Sequence, residues 1–112
     1  MMQVVFVVLH KTELLQDLLT KLKKAGVSGG TIIDSQGMIS YIQESDESYI
    51  LGSLRLFLEQ ARPDSKTMFF IIEDEQVDLV FETIDKALGG LENHNTGIAF
   101  AMPITRVEGV VK

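Results

Sequence analysis

The sequence predicts an α+β domain in which two strand-helix-strand units share one antiparallel sheet, with both helices on the same face. Three observations predict it. Apolar, β-branched runs of strand length recur along the chain. Two segments with helical periodicity stand between them. Their order is strand, helix, strand, a long connection, then strand, helix, strand. At 112 residues the chain fits one domain spanning 1–112, since domains commonly run about 100–150 residues.

Residues 2–9 are nearly all apolar and rich in valine, which predicts a strand buried on both faces at the centre of the sheet. Residues 12–24 predict a helix. Thr12 is placed to cap it, Leu14, Leu15, Leu18, Leu19 and Leu22 form its apolar stripe, Lys21, Lys23 and Lys24 crowd its last turn, and Gly26 stops it. Residues 30–42 predict the second strand, with Gly37 marking a bulge or a close backbone approach. Residues 66–72 predict the third. Asp74 is placed to cap a second helix to about residue 88, striped by Val77, Val80, Phe81, Ile84, Ala87 and Leu88 and ended by Gly89-Gly90. Residues 96–102 predict the fourth strand, with Pro103 at its end or on an edge. This is the split pattern of the ferredoxin-like βαββαβ sandwich. Two helices cover only one face of such a sheet, so the apolar second face predicts self-association.

Composition excludes several classes. The net charge of −6 argues against nucleic-acid binding, which needs a basic stripe. There is no cysteine, hence no disulfide and no thiolate metal site, which agrees with a cytoplasmic location. No run approaches the roughly 20 apolar residues of a membrane span, and the apolar start lacks the features of a signal peptide. No nucleophile with a neighbouring base can be named, so an enzyme is not expected.

Two glycine-rich segments are candidate ligand contacts. Gly26-Val27-Ser28-Gly29-Gly30-Thr31 joins a helix to a strand. It reads either as a helix stop or as a turn whose amides and hydroxyls approach an anion. The loop 89–97 can wrap an anion with backbone donors and with Asn93, His94, Asn95, Thr96 and Gly97, or serve as an ordinary connection. His10 and His94 make a weak metal signal, and no metal site is expected. The connection 43–65 begins acidic and then carries Tyr49, Ile50, Leu54 and Phe57, with Ile50, Leu54, Phe57 and Leu58 on one helical face. That face is suited either to its own domain or to a partner.

Three segments carry a family resemblance. Ala25-Gly26-Val27-Ser28-Gly29-Gly30-Thr31, Ile71-Ile72-Glu73-Asp74-Glu75-Gln76-Val77 and Thr96-Gly97-Ile98-Ala99-Phe100-Ala101-Met102-Pro103, in this order and spacing, resemble the bacterial P-II nitrogen-regulatory signalling proteins. The resemblance implies a ferredoxin-like homotrimer that binds an adenine nucleotide in clefts between subunits and engages a transporter or enzyme through a long loop. It places Gly29, Thr31 and Gly37 on one side of the cleft and Asn95, Thr96 and Gly97 on the phosphate-wrapping loop. It also puts the connection 43–65 in place of the partner-facing loop. The chain departs from the family pattern at Ile98, where a lysine is usual, and at Tyr41, where a glutamine is. It also lacks the paired arginines near Gly109 and Val111. Two other readings stay open: a divalent-metal-tolerance type of trimer with His10 or His94 as ligands, and a ligand-independent structural trimer.

Overall fold

Strand β1 (Met2–Leu9) lies inside a four-stranded sheet of order β2-β3-β1-β4, in a computed structural model that describes residues 1–38, 64–93 and 96–110. The other strands are β2 (Thr31–Ser35), β3 (Ser65–Glu73) and β4 (Gly97–Ile104), and every neighbouring pair is antiparallel. Helix α1 (Leu15–Lys24) follows β1 through a 3-10 turn at Thr12–Leu14. Helix α2 (Val77–Ala87) follows β3 through another at Asp74–Gln76. The fold is the ferredoxin-like α+β sandwich.

Period-two burial along the strands and the helical stripes meet in one core. Val5, Val7 and Leu9 of β1 and Met68, Phe70 and Ile72 of β3 face Leu18 and Leu22 of α1 and Val80 and Ile84 of α2, all buried. Each such side chain contributes about 1.5–3 kcal/mol on burial. The stripes place Leu18 and Leu22 four residues apart, and Val80 and Ile84 likewise, so each pair shares a helix face.

The other sheet face is open. Val4, Phe6 and Val8 are only half-buried, so β1 is buried on one face in the single chain rather than on both. The ring of Phe6 stacks on Phe100 at 5.1 Å and lies 5.7 Å from Phe69. Ile98, Phe100 and Met102 of β4 stay exposed around them.

Several boundaries differ from the sequence reading. β2 ends at Ser35, not residue 42, because its ladder partner β3 begins at Ser65 and Ser35 pairs with it. The Ser35 hydroxyl closes that end, 2.7 Å from Ser65 Oγ and 2.8 Å from Thr67 Oγ1. Gly37 lies beyond the strand, and among the described residues nothing stands near the position of a side chain, so it marks neither a bulge in β2 nor a close approach to the described chain. Thr12 and Asp74 each open a 3-10 turn and cap neither helix with a side chain. Asp74 is engaged elsewhere: its carboxylate accepts from Gln3 Nε2 at 3.1 Å, and its N–H donates to the Met1 carbonyl at 3.0 Å. Pro103 lies within β4, opposite Gln3, on the edge position where a missing N–H leaves the ladder intact. Residues 43–63 of the long connection, with Tyr49, Ile50, Leu54 and Phe57, lie outside the described residues.

Candidate functional site

The turn after α1 is built by its glycines. Gly26 takes φ +103°, and Val27 N–H reaches back to the Leu22 carbonyl at 2.9 Å, closing a Schellman-type stop. Beyond it the amides of Ser28 and Gly29 carry no hydrogen bond among the described residues. At Gly30 a methyl group would stand 2.5 Å from Cε1 of the Phe70 ring, so only glycine lets the chain pass the core there. The turn then enters β2 at Thr31.

This turn forms one wall of a cavity of about 530 Å³. Phe69 and Ile71 of β3 supply an apolar wall, Glu73 and Gln76 a polar end, and Val110 approaches from the C-terminal segment. The volume lies within the roughly 300–1,000 Å³ of small-molecule sites. Gly29 and Thr31 both line it; Gly37 does not. Its lining holds one carboxylate and, among the described residues, no lysine or arginine.

The loop after α2 is held from within. Gly89 and Gly90 adopt φ +73° and +107°, and Asp85 accepts the Leu91 N–H at 2.8 Å. The Asn93 side-chain amide donates to the Gly89 carbonyl at 2.7 Å, folding onto its own loop. His94 and Asn95 lie outside the described residues. Thr96 is fully buried. Its carbonyl accepts from His10 N–H at 3.0 Å and Lys11 N–H at 3.3 Å, and its hydroxyl has no partner among the described residues. Gly97 passes so close to β1 that a methyl group there would meet the Val8 carbonyl at 2.7 Å.

One chain does not bring these two segments together. Gly29 and Thr31 adjoin β2, while Thr96 and Gly97 open β4, and the two strands are opposite edges of the sheet. Three strand spacings separate the edges, roughly 14 Å. They also differ along the strands: Gly97 pairs with Leu9 at one end of β1, whereas Met2, at the other end, lines the cavity. In a single chain the two segments therefore lie on opposite edges and at opposite ends of the sheet. Glu73, Gln76 and Val110 were not singled out by sequence reasoning. Strand pairing brings these distant stretches to one end of the sheet: Met2 pairs with Glu73 of β3 and with Ile104 at the end of β4. His10 stands at the end of β1, and among the described residues no group of three or more acids and histidines can hold a metal ion.

The family model for the nitrogen regulatory protein P-II matches residues 2–112, and the chain belongs to that family of signalling and regulatory proteins. Among solved structures, it is similar to Arabidopsis thaliana PII bound to citrate, with TM-score 0.63 and 19% identity over 92% of this chain and 77% of that one. At that identity the likeness speaks for the fold. No curated protein matches the chain. Among the described residues no helix is long and apolar enough to cross a membrane.

Proposed function

We propose that this P-II family protein is a non-enzymatic cytoplasmic ligand sensor working as a closed homotrimer. The cavity at Gly29 and Thr31 of one copy and the loop ending at Thr96 and Gly97 of the next form one cleft for a small anionic ligand, an adenine nucleotide. The observation that carries this reading is the placement of the two half-sites on opposite edges of one sheet. Rotational assembly sets the β2 edge of each copy beside the β4 edge of its neighbour. The open face, with Phe6, Phe69 and Phe100 at its centre, supplies the apolar area for that assembly.

The residues fit a nucleotide unevenly. Phe69 and Ile71 suit the face of a base, and Thr31 and Gln76 suit its polar edge and sugar. The phosphates would be met by backbone donors of the second copy's glycine-rich loop. Occupancy then biases the connection 43–65, with Tyr49, Ile50, Leu54 and Phe57, toward or away from a protein partner, which requires different ligand affinity in the two states. The plant PII that resembles this chain is bound to citrate, itself a small anion.

Two measurements test the reading. Analytical ultracentrifugation should give a trimer. Calorimetric titration with ATP, ADP and AMP should give saturable heat that Thr31→Val weakens. A monomer at micromolar concentration, or no heat with any of the three, would leave the cleft without support.

A further inference from the structure

Behind the Ser28-Gly29-Gly30 turn, on the helix side of the sheet, lies a second hollow of about 280 Å³. It exists because two helices do not cover four strands. Ile32 pairs with Met68 and so shares its face, yet Met68 is fully buried while Ile32 remains 44% exposed at the sheet edge. The floor is apolar: Leu19 and Leu22 of α1, Phe70 of β3 and Ile32.

The rim is different in kind. Lys23 lines the hollow and, unlike Lys21, which holds Asp17 at 2.8 Å, has no ion-pair partner among the described residues. Ser28 brings its hydroxyl, and the amides of Ser28 and Gly29 are free of hydrogen bonds among the described residues. Neither Lys23 nor the hollow belongs to the cavity on the other side of the turn; the two share only the wall 27–30.

We infer that this hollow binds a small amphipathic monoanion, a carboxylate on a short aliphatic body. The carboxylate lies against Lys23 and the Ser28–Gly29 amides, and the hydrocarbon lies on Leu19, Leu22, Ile32 and Phe70. One cation on the rim selects a single charge. The volume falls just below the range of drug-sized sites, which selects a short chain. The site is independent of the intersubunit cleft, so a protein that ignores ATP can still show it.

The test is a proton–nitrogen correlation titration of the full chain with sodium octanoate. The amides of Ser28, Gly29, Gly30 and Ile32 should shift saturably. Lys23→Gln should weaken binding about tenfold, the loss expected for a charge-assisted hydrogen bond. It should also remove the preference for octanoate over octan-1-ol. Ile32→Trp, at an exposed edge position, should fill the hollow and abolish the shifts while the sheet signals stay native. Absence of shifts at millimolar octanoate, or equal affinity in Lys23→Gln, overturns the inference. So do nuclear Overhauser contacts from Ile32 to Leu54 or Phe57 in the free chain, since these would show the hollow filled by the chain itself.

Discussion

Two adjacent glycines, Gly29 and Gly30, should respond oppositely to the same substitution. A methyl group on Gly30 would lie 2.5 Å from Phe70 Cε1 and 3.1 Å from the Phe69 carbonyl. Phe70 is 4% exposed and packed in the core, so its ring has nowhere to go. Forcing a methyl group into a packed core costs about 1–3 kcal/mol. At Gly29 the same methyl group meets nothing within 4 Å among the described residues, and the backbone there lies outside the left-handed region. Gly29→Ala should therefore be neutral, or stabilising by about 0.4–1 kcal/mol through the restricted unfolded chain. At roughly 4 °C per kcal/mol for a domain of this size, Gly30→Ala should lower the melting midpoint by about 4–12 °C. Thermal and urea unfolding followed by far-ultraviolet circular dichroism, at two protein concentrations to separate folding from assembly, measure both variants. In a Phe70→Leu background the Gly30→Ala penalty should shrink, since the ring that opposes the methyl group is gone. Equal losses at Gly29 and Gly30, or a Gly30→Ala chain as stable as the parent, would refute the close approach and the shape of both hollows beside it.

Other perturbations read other parts of the fold. Phe100→Asp places a charge on the open face where Phe100 stacks on Phe6; sedimentation should show the assembly broken while the circular dichroism spectrum stays native. Ile84→Ala empties a fully buried position between α2 and the sheet, and denaturant unfolding should report a loss of about 2–5 kcal/mol. Lys86 has its pKa raised above 10.5, first by its hydrogen bond to Glu82 and then by the charge of that carboxylate. A raised lysine stabilises the fold below its unfolded pKa and loses that contribution as pH climbs past the folded one. The stability difference between the parent and Lys86→Met should thus be constant from pH 7 to 9, and its charge-dependent part should disappear as pH climbs past the raised pKa; because the pair is exposed, that part should be small.

Much of the architecture was legible in the sequence because it rests on periodicity. Leu14, Leu15, Leu18, Leu19 and Leu22 announce α1, and the apolar runs announce β1 and β3. What escaped depends on partners distant in the chain. The end of β2 is set by where β3 begins, and Asp74 turns from capping because Gln3 and Met1 come to meet it. Both glycine-rich loops were readable, since glycine and asparagine cluster there. That they sit on opposite edges was not, because spacing along the chain carries no strand order. Lys23 looked like a helix-end cation complementing the dipole. Only the uncovered edge at Ile32 shows that it also rims a hollow.

The proposed sharing of each cleft between two copies has a genetic consequence. A defect on the β2 side, such as Thr31→Val, and a defect on the β4 side, such as Gly97→Ala, would each impair every cleft in a pure trimer. Mixed in one cell, the two defective chains would complement each other. Any cleft that draws its cavity from the Gly97→Ala chain and its loop from the Thr31→Val chain contains only native parts. With equal expression and random assembly into closed rings, about one cleft in four is restored.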